Sequence, residues 1–240
     1  MMKTNGIEII FEDNHLIAVN KKPGEISQED KTGDSPMGTA IKDYLKEKYN
    51  KPGNVYLGVV HRLDRPVSGV IVFARTGKAA SRMSNKLRNR EIQKTYWALV
   101  KNIPPKEEDT LTHYLLKNNH LNRSFVYNET RNDAKEATLH YRVIATLDNY
   151  FLLEVKPFTG RHHQIRVQLA TIGCPIKGDI KYGFDRTNSD GSIHLHARSI
   201  QFSHPVKQQP VSIIADPPAD RLWDTCLQLM EQKYPDKTNA

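Results

Sequence analysis

Apolar positions along the chain first alternate with a period of two. Residues 7–11 and 16–20 are short β-branched runs on either side of the turn-forming Glu-Asp-Asn-His at 12–15, which predicts an opening hairpin. The period then lengthens: Met37, Ile41, Tyr44, Leu45 and Lys48 recur at helical spacing behind Ser35 as N-cap and Pro36 as first helical residue. That helix should stop near 51–54. Residues 55–60 read as a buried strand, 61–69 as a short polar loop and 70–75 as another strand, followed by an amphipathic helix over 77–90 with Ala80, Met83 and Leu87 on its apolar side. Strand-like runs follow at 94–100, 111–116, 124–127, 137–144 and 150–155, then a helix over 160–173 ended by Gly173, strands at 193–202 and 210–215, and a closing helix over 220–232. Strands outnumber helices and short turns often separate them. The expectation is an α+β fold, a mainly antiparallel mixed β-sheet with flanking helices, in one domain spanning 1–240.

Composition narrows the class. A chain of 240 residues buries enough surface to need no disulfide or metal staple. With 38% hydrophobic and 26% charged residues it is neither disordered, collagenous nor membrane-spanning, and the opening residues lack the apolar core of a signal peptide. A soluble, cytoplasmic protein is expected. Cys174 and Cys226 stand too far apart for a zinc motif and give no disulfide framework.

Charge adds a partner class. The net charge is +8, and residues 61–94 hold nine Lys and Arg against Asp64 and Glu91, so most of the surplus sits in 34 residues. Such clustering points to a polyanion. In the second predicted helix Lys78, Arg82, Lys86 and Arg90 fall four apart, in one stripe whose mutual repulsion an anion such as a phosphate backbone would offset; a solvated helix face is the bland alternative. Asp64 lies in the loop between two apolar strands, flanked by Arg62 and Arg65. An isolated loop aspartate is more often a turn or cap residue, but a carboxylate held by rigid elements beside cations is a usable nucleophile or base. His162 with His163 and His194 with His196 could be read as metal ligands, yet neighbouring histidines on a helix diverge by about 100° and no complete ligand set accompanies them. No metal is therefore expected.

Four segments carry a resemblance. The run HRLDRPVSGVIVFAR at 61–75, KTYWALV at 94–100, GRHHQIRVQLATIGCPIKGDIKYG at 160–183 and LHARSIQFSHP at 195–205 resemble, in order, the motifs of the RluA family of pseudouridine synthases. NHLIAVNKKPG matches that family's opening strand and turn. The resemblance spans most of the chain and implies the pseudouridine synthase catalytic fold, isomerisation of a uridine in structured RNA (ribosomal or transfer RNA), and no cofactor. It implies that Asp64 is the catalytic aspartate, Tyr96 the aromatic residue beside the flipped base, and Arg166 the basic residue paired with that aspartate, placed ahead of Arg161. Arg62 matches a residue associated with extrusion of the target base. Arg65, Lys78, Arg82, Lys86, Arg90 and Arg161 complete the expected RNA-binding set.

Departures from the family pattern are local. Arg65, Pro66 and Val67 replace a hydroxyl-bearing run, Gln168 stands where His is frequent, and His162 where Thr or Ser is frequent. No appended N-terminal RNA-binding module is expected, and a monomer with no obligate protein partner suffices for the chemistry. Two other readings stay open here: a non-catalytic RNA-binding or RNA-chaperone protein on the same scaffold, and a metal-dependent hydrolase.

Overall fold

A computed structural model describes residues 2–4, 6–28, 33–127, 129–130 and 133–233. In chain order the elements are β1 (Met2–Thr4), β2 (Ile7–Glu12), β3 (Leu16–Lys21), α1 (Met37–Lys48), β4 (Gly58–Val59), β5 (Ser68–Ala74), α2 (Gly77–Arg88) and β6 (Gln93–Val100). There follow β7 (Glu108–Asn118), β8 (Arg123–Tyr127), β9 (Lys135–Thr146), β10 (Phe151–Pro157), α3 (Gln164–Thr171), a 3-10 turn (Ile180–Tyr182), β11 (Leu195–Ser203), β12 (Pro210–Ile214) and α4 (Arg221–Lys233). They gather into two compact units: Met1–Lys94 with Ala197–Asp216, and Thr95–His196 with Pro217–Ala240. The α+β expectation is met.

In the first unit the strand order is β1-β2-β3-β5-β11, with β4 pairing β5 and β12 pairing β11. The predicted hairpin is present: β2 and β3 are antiparallel, and the Asp13 carboxylate accepts from the backbone N–H groups of His15 (2.8 Å) and Leu16 (2.9 Å) to set the turn. β3 and β5 are near-continuous apolar runs because both lie inside the unit; every residue of β5 is buried. Gly69 has φ +115°, and a Cβ there would stand 2.3 Å from the Ala197 carbonyl oxygen of β11. Only glycine lets these backbones approach that closely.

In the second unit the order is β6-β10-β9-β7-β8, and the β6–β10, β10–β9, β9–β7 and β7–β8 pairings are all antiparallel. α4 packs Trp223 and Cys226 against Trp97, Leu99, Ile144 and Leu152. Asp220 caps it by accepting from Leu222 N–H at 2.9 Å, the Asp-first pattern of a helix start.

Four sequence readings are corrected in detail. α1 begins at Met37: Pro36 is its extended N-cap (φ −68°, ψ 146°), because the Met37 N–H is drawn to the Ile26 carbonyl at 3.0 Å. The strand expected over 55–60 shrinks to Gly58–Val59. β4 reaches β5 only at Phe73 and Ala74, since β11 also lies beside β5. α2 ends at Arg88 and turns Ala79 and Met83 inward, while Ala80 and Leu87 are half-buried. α3 begins at Gln164, because His163 adopts a left-handed conformation (φ 54°). Among the described residues no helix is long and apolar enough to cross a membrane.

Replacing Gly69 by alanine forces β5 and β11 apart and imposes an unfavourable φ on an L side chain. Denaturant unfolding of Gly69→Ala is expected to show a loss of at least about 2 kcal/mol; a loss below about 0.5 kcal/mol contradicts the close approach.

Candidate active site

The polar segment 60–67 links β4 to β5, and Asp64 opens its tightest turn: the Val67 N–H donates to the Asp64 carbonyl at 3.0 Å. Such a loop carries backbone groups that no sheet ladder satisfies, so other partners must meet them. Ser27 does so on one side, its hydroxyl donating to the Leu63 carbonyl at 3.1 Å and accepting from the Leu63 N–H at 3.3 Å. The Gly24 N–H donates to the Arg65 carbonyl at 2.9 Å. Lys21, at the end of β3 and fully buried, donates to the carbonyls of Lys22 (3.0 Å), Arg65 (3.0 Å) and Val67 (2.6 Å). Burial pushes its pKa down to about 8, Glu25 and Asp64 act in the opposite direction, and Arg65 reinforces the fall. Sequence reasoning missed Lys21. The signal for it was a charge at the inner end of an otherwise apolar strand.

The remaining predicted residues of this unit are placed as follows. Asp64 is half-buried and Arg62 exposed. Arg65 is tied to Asp34 at 2.6 Å. The expected four-residue stripe does not survive intact. Lys78 is exposed at the start of α2, but Arg82 donates to the Pro205 carbonyl at 2.8 Å and Lys86 pairs with Glu91 at 3.0 Å. Arg90 lies beyond the helix with φ +60°, so the helical spacing no longer applies to it. An internal carboxylate thus answers part of the repulsion assigned to an external anion. His61, first residue of the motif, accepts from the Val72 N–H at 3.1 Å through Nε2; burial, then Lys94, depresses its pKa to about 3, so it is a neutral strut.

In the second unit Tyr96 is buried on β6 opposite Val155, and Arg166 is buried on α3. Arg166 donates from Nε to Asp179 Oδ2 at 2.7 Å and from Nη2 to Oδ1 at 2.8 Å. A bidentate fork of this kind fixes the plane of the guanidinium. Tyr182 lies 5.2 Å beneath it, with the Arg123 guanidinium also 5.1 Å from the same ring. The Tyr182 hydroxyl accepts from the Ser124 N–H and meets His163 Nδ1, both at 2.8 Å. Asp179 and Tyr182 belong to the quoted GDIKYG segment, and sequence reading gave them no role. Arg161 is exposed and donates from Nε to the Glu136 carbonyl at 2.9 Å.

The histidine pairs do not resemble a metal centre. The left-handed turn at His163 brings the His162 and His163 rings into a stack at 3.7 Å, unlike the divergence expected on a helix. His163 is pushed down to about 2 by burial and then by Arg166, His162 and Lys181, so it stays neutral. His194 is held between Asn188 (3.0 Å) and Asp220 (3.1 Å) and stacks on Trp223. Among the described residues no group of three or more His, Cys, Asp or Glu gathers around a metal-sized space. Gln168 is fully buried, donating to the carbonyls of Leu111 (3.2 Å) and Ala137 (3.0 Å), so this departure from the family pattern clasps β7 to β9.

Residues 15–171 match the family model described as RNA pseudouridylate synthase, and the chain belongs to that family of isomerases. It is 31% identical over 242 residues to "tRNA pseudouridine synthase C" of Vibrio cholerae, covering 92% of this chain and 94% of that one. It is also 31% identical to "Ribosomal large subunit pseudouridine synthase C" of Buchnera aphidicola, covering 92% and 69%. Against "tRNA pseudouridine synthase C" of Pectobacterium carotovorum it is 32% identical, spanning 60% of that protein's length. In fold it is similar to the structure titled "Human RNA Pseudouridylate Synthase Domain Containing 4", with a TM-score of 0.75 over 93% of both chains at 23% identity.

Removing the buried partner of Arg166 leaves an uncompensated charge, so Asp179→Asn should destabilise the protein by about 3–5 kcal/mol. Equilibrium denaturation measures this; a change under about 1 kcal/mol contradicts a fork that holds the guanidinium.

Proposed function

We propose that this chain isomerises a uridine of structured RNA to pseudouridine, with Asp64 as the carboxylate that acts on the ribose. The observation that carries this reading is the HRLD loop, whose aspartate opens a turn satisfied from below by Lys21, Gly24 and Ser27, in a member of the pseudouridylate synthase family. A stacked uridine must first leave the helix at a cost of about a few kcal/mol, met by phosphate contacts and by stacking of the expelled base. Arg62, Arg65, Lys78, Arg82, Lys86, Arg90 and Arg161 supply the phosphate contacts in this reading. Arg82, Lys86 and Arg65 do so by exchanging or sharing their internal acceptors. Tyr96 stands beside the base.

Asp64 then either attacks the anomeric carbon or removes the neighbouring sugar proton; both routes need it ionised. The bond from the anomeric carbon to N1 breaks, the held uracil turns, and C5 bonds to the anomeric carbon, displacing the Asp64 carboxylate in the first route or with Asp64 returning the sugar proton in the second. C5 loses its proton and N1 gains one, so the product is an isomer and no electron carrier enters. In this reading Arg166 is the basic partner of Asp64, Tyr96 the aromatic residue of the same reaction, and residues 1–240 a single catalytic domain. In this reading the protein is a cytoplasmic monomer with no obligate protein partner. Transfer and ribosomal RNA are both offered as substrates, since relatives named for each are equally similar.

Release of tritium from RNA labelled at uridine C5 reads the reaction directly. Asp64→Asn is expected to abolish release while RNA binding and unfolding midpoint stay near wild type; equal release from the variant overturns the role of Asp64. Binding without release by the wild type favours the non-catalytic reading. Affinity for RNA should fall at least about tenfold between about 50 and 200 mM salt, as neutralised phosphates regain counterions. A flat salt titration contradicts the basic segment as an RNA contact.

A further inference from the structure

Between Lys177 and His194 the chain leaves β6 and rejoins it at the same point. The Lys177 N–H donates to the Leu99 carbonyl at 2.8 Å, the Leu99 N–H to the His194 carbonyl at 3.0 Å, and the His194 N–H to the Lys177 carbonyl at 2.9 Å. The excursion so closed carries Asp179 and Tyr182, the fork and the ring that hold Arg166. Beyond its 3-10 turn it forms no helix or strand, so side chains must hold what no ladder holds. Asn188 is central to this. Its Oδ1 accepts from Lys177 Nζ at 2.6 Å, and its Nδ2 reaches Ser192 Oγ at 3.1 Å and His194 Nδ1 at 3.0 Å.

The direction of each bond follows from the lysine. An ammonium only donates, so Lys177 fixes which end of the amide is oxygen. Nδ2 must then donate to His194 Nδ1, which leaves the imidazole proton on Nε2, where the Asp220 carboxylate accepts it at 3.1 Å. The Ser192 hydroxyl accepts from Asn188 and donates to Asp190 Oδ1 at 2.6 Å. Burial, and then Lys177, hold His194 neutral against the pull of Asp220 and Asp190. The same amide lies over Gly178, the residue before Asp179: a Cβ there would stand 2.9 Å from Asn188 Cγ and Nδ2 and 2.7 Å from the Ser192 carbonyl oxygen. Filling space alone requires no such ordered set of protons.

We infer that Asn188 is a positioning residue for Arg166: its amide, oriented by Lys177, ties the two ends of the 177–194 excursion together, seats Gly178, and so fixes the Asp179 carboxylate that grips the guanidinium. The consequence for catalysis rests on the reading that Arg166 takes part in the isomerisation. Weakening the tie lets the fork open more often and lowers turnover without changing the RNA-binding surface.

Nitrogen NMR of the full chain reads the tie without reference to the reaction. In the wild type the His194 proton should be found on Nε2, and the Arg166 Nε–H should exchange slowly with water. Asn188→Leu fills similar space but donates and accepts nothing; in it that exchange should be at least about tenfold faster. Wild-type exchange in Asn188→Leu reduces Asn188 to a space filler and overturns the inference, as does a proton on Nδ1 of His194 in the wild type. Should Asn188→Leu fail to fold, Lys177→Met removes the half-buried group that orients the amide, and exchange at least about threefold faster is expected, an unchanged rate being contrary. In kinetics, Asn188→Leu should lower kcat about tenfold with KM for RNA within about twofold. A raised KM at unchanged kcat overturns the positioning role. If the wild type isomerises no uridine while the exchange still responds to Asn188, the tie is upheld and the proposed reaction fails.

Discussion

An irregular loop that runs through a protein interior must find partners for its backbone carbonyls, and here a single amine serves two of them, those of Arg65 and Val67. Lys21 lies at the inner end of β3, where the sheet would otherwise continue apolar, and meets the loop preceding β5. Around this contact the first unit is arranged with little freedom. Ser27 and Gly24 close the remaining gaps of the loop, and the fully buried β5 fixes where it ends. Gly69 then lets β11 pass at a distance no other residue allows. The outcome is a loop held by its backbone at Leu63, Arg65 and Val67, with Asp64 half-buried on it.

The second unit solves a different problem, that of holding a buried guanidinium. Asp179 grips Arg166 by two nitrogens and Tyr182 supports it from one face, with the Tyr182 hydroxyl tied in turn to Ser124 and His163. Burial, reinforced by surrounding positive charge, keeps His163 neutral, so it serves as a hydrogen-bonding post rather than a competing cation. Both units therefore place their motif residues by the same means, an ionic group surrounded by partners that match its donors or acceptors.

Periodicity made most of the fold legible. The opening hairpin, the long antiparallel run from β6 to β10 and the closing helix have patterns long enough to be unambiguous. What escaped was decided by contacts between distant segments. The helix start at Met37 depends on Ile26, the shortness of β4 on β11 lying beside the same strand, and the late start of α3 on one left-handed residue. β1 is three residues long, too short to show any alternation. Site residues followed the same rule. Asp64, Tyr96 and Arg166 are candidates because a motif names them, whereas Lys21, Asp179 and Tyr182 meet their partners through contacts that spacing cannot express. The basic stripe is interrupted where spacing gives no warning: Arg90 falls beyond α2, and Glu91 and the Pro205 carbonyl lie within reach of Lys86 and Arg82.

These features converge on one chemical claim, that a buttressed aspartate isomerises uridine in RNA. The most direct measurement is a site-resolved map of pseudouridine in total RNA from cells with and without this gene. At least one uridine in transfer or ribosomal RNA should be modified in the first and unmodified in the second, and a gene encoding the chain should restore it. Identical maps would contradict the account.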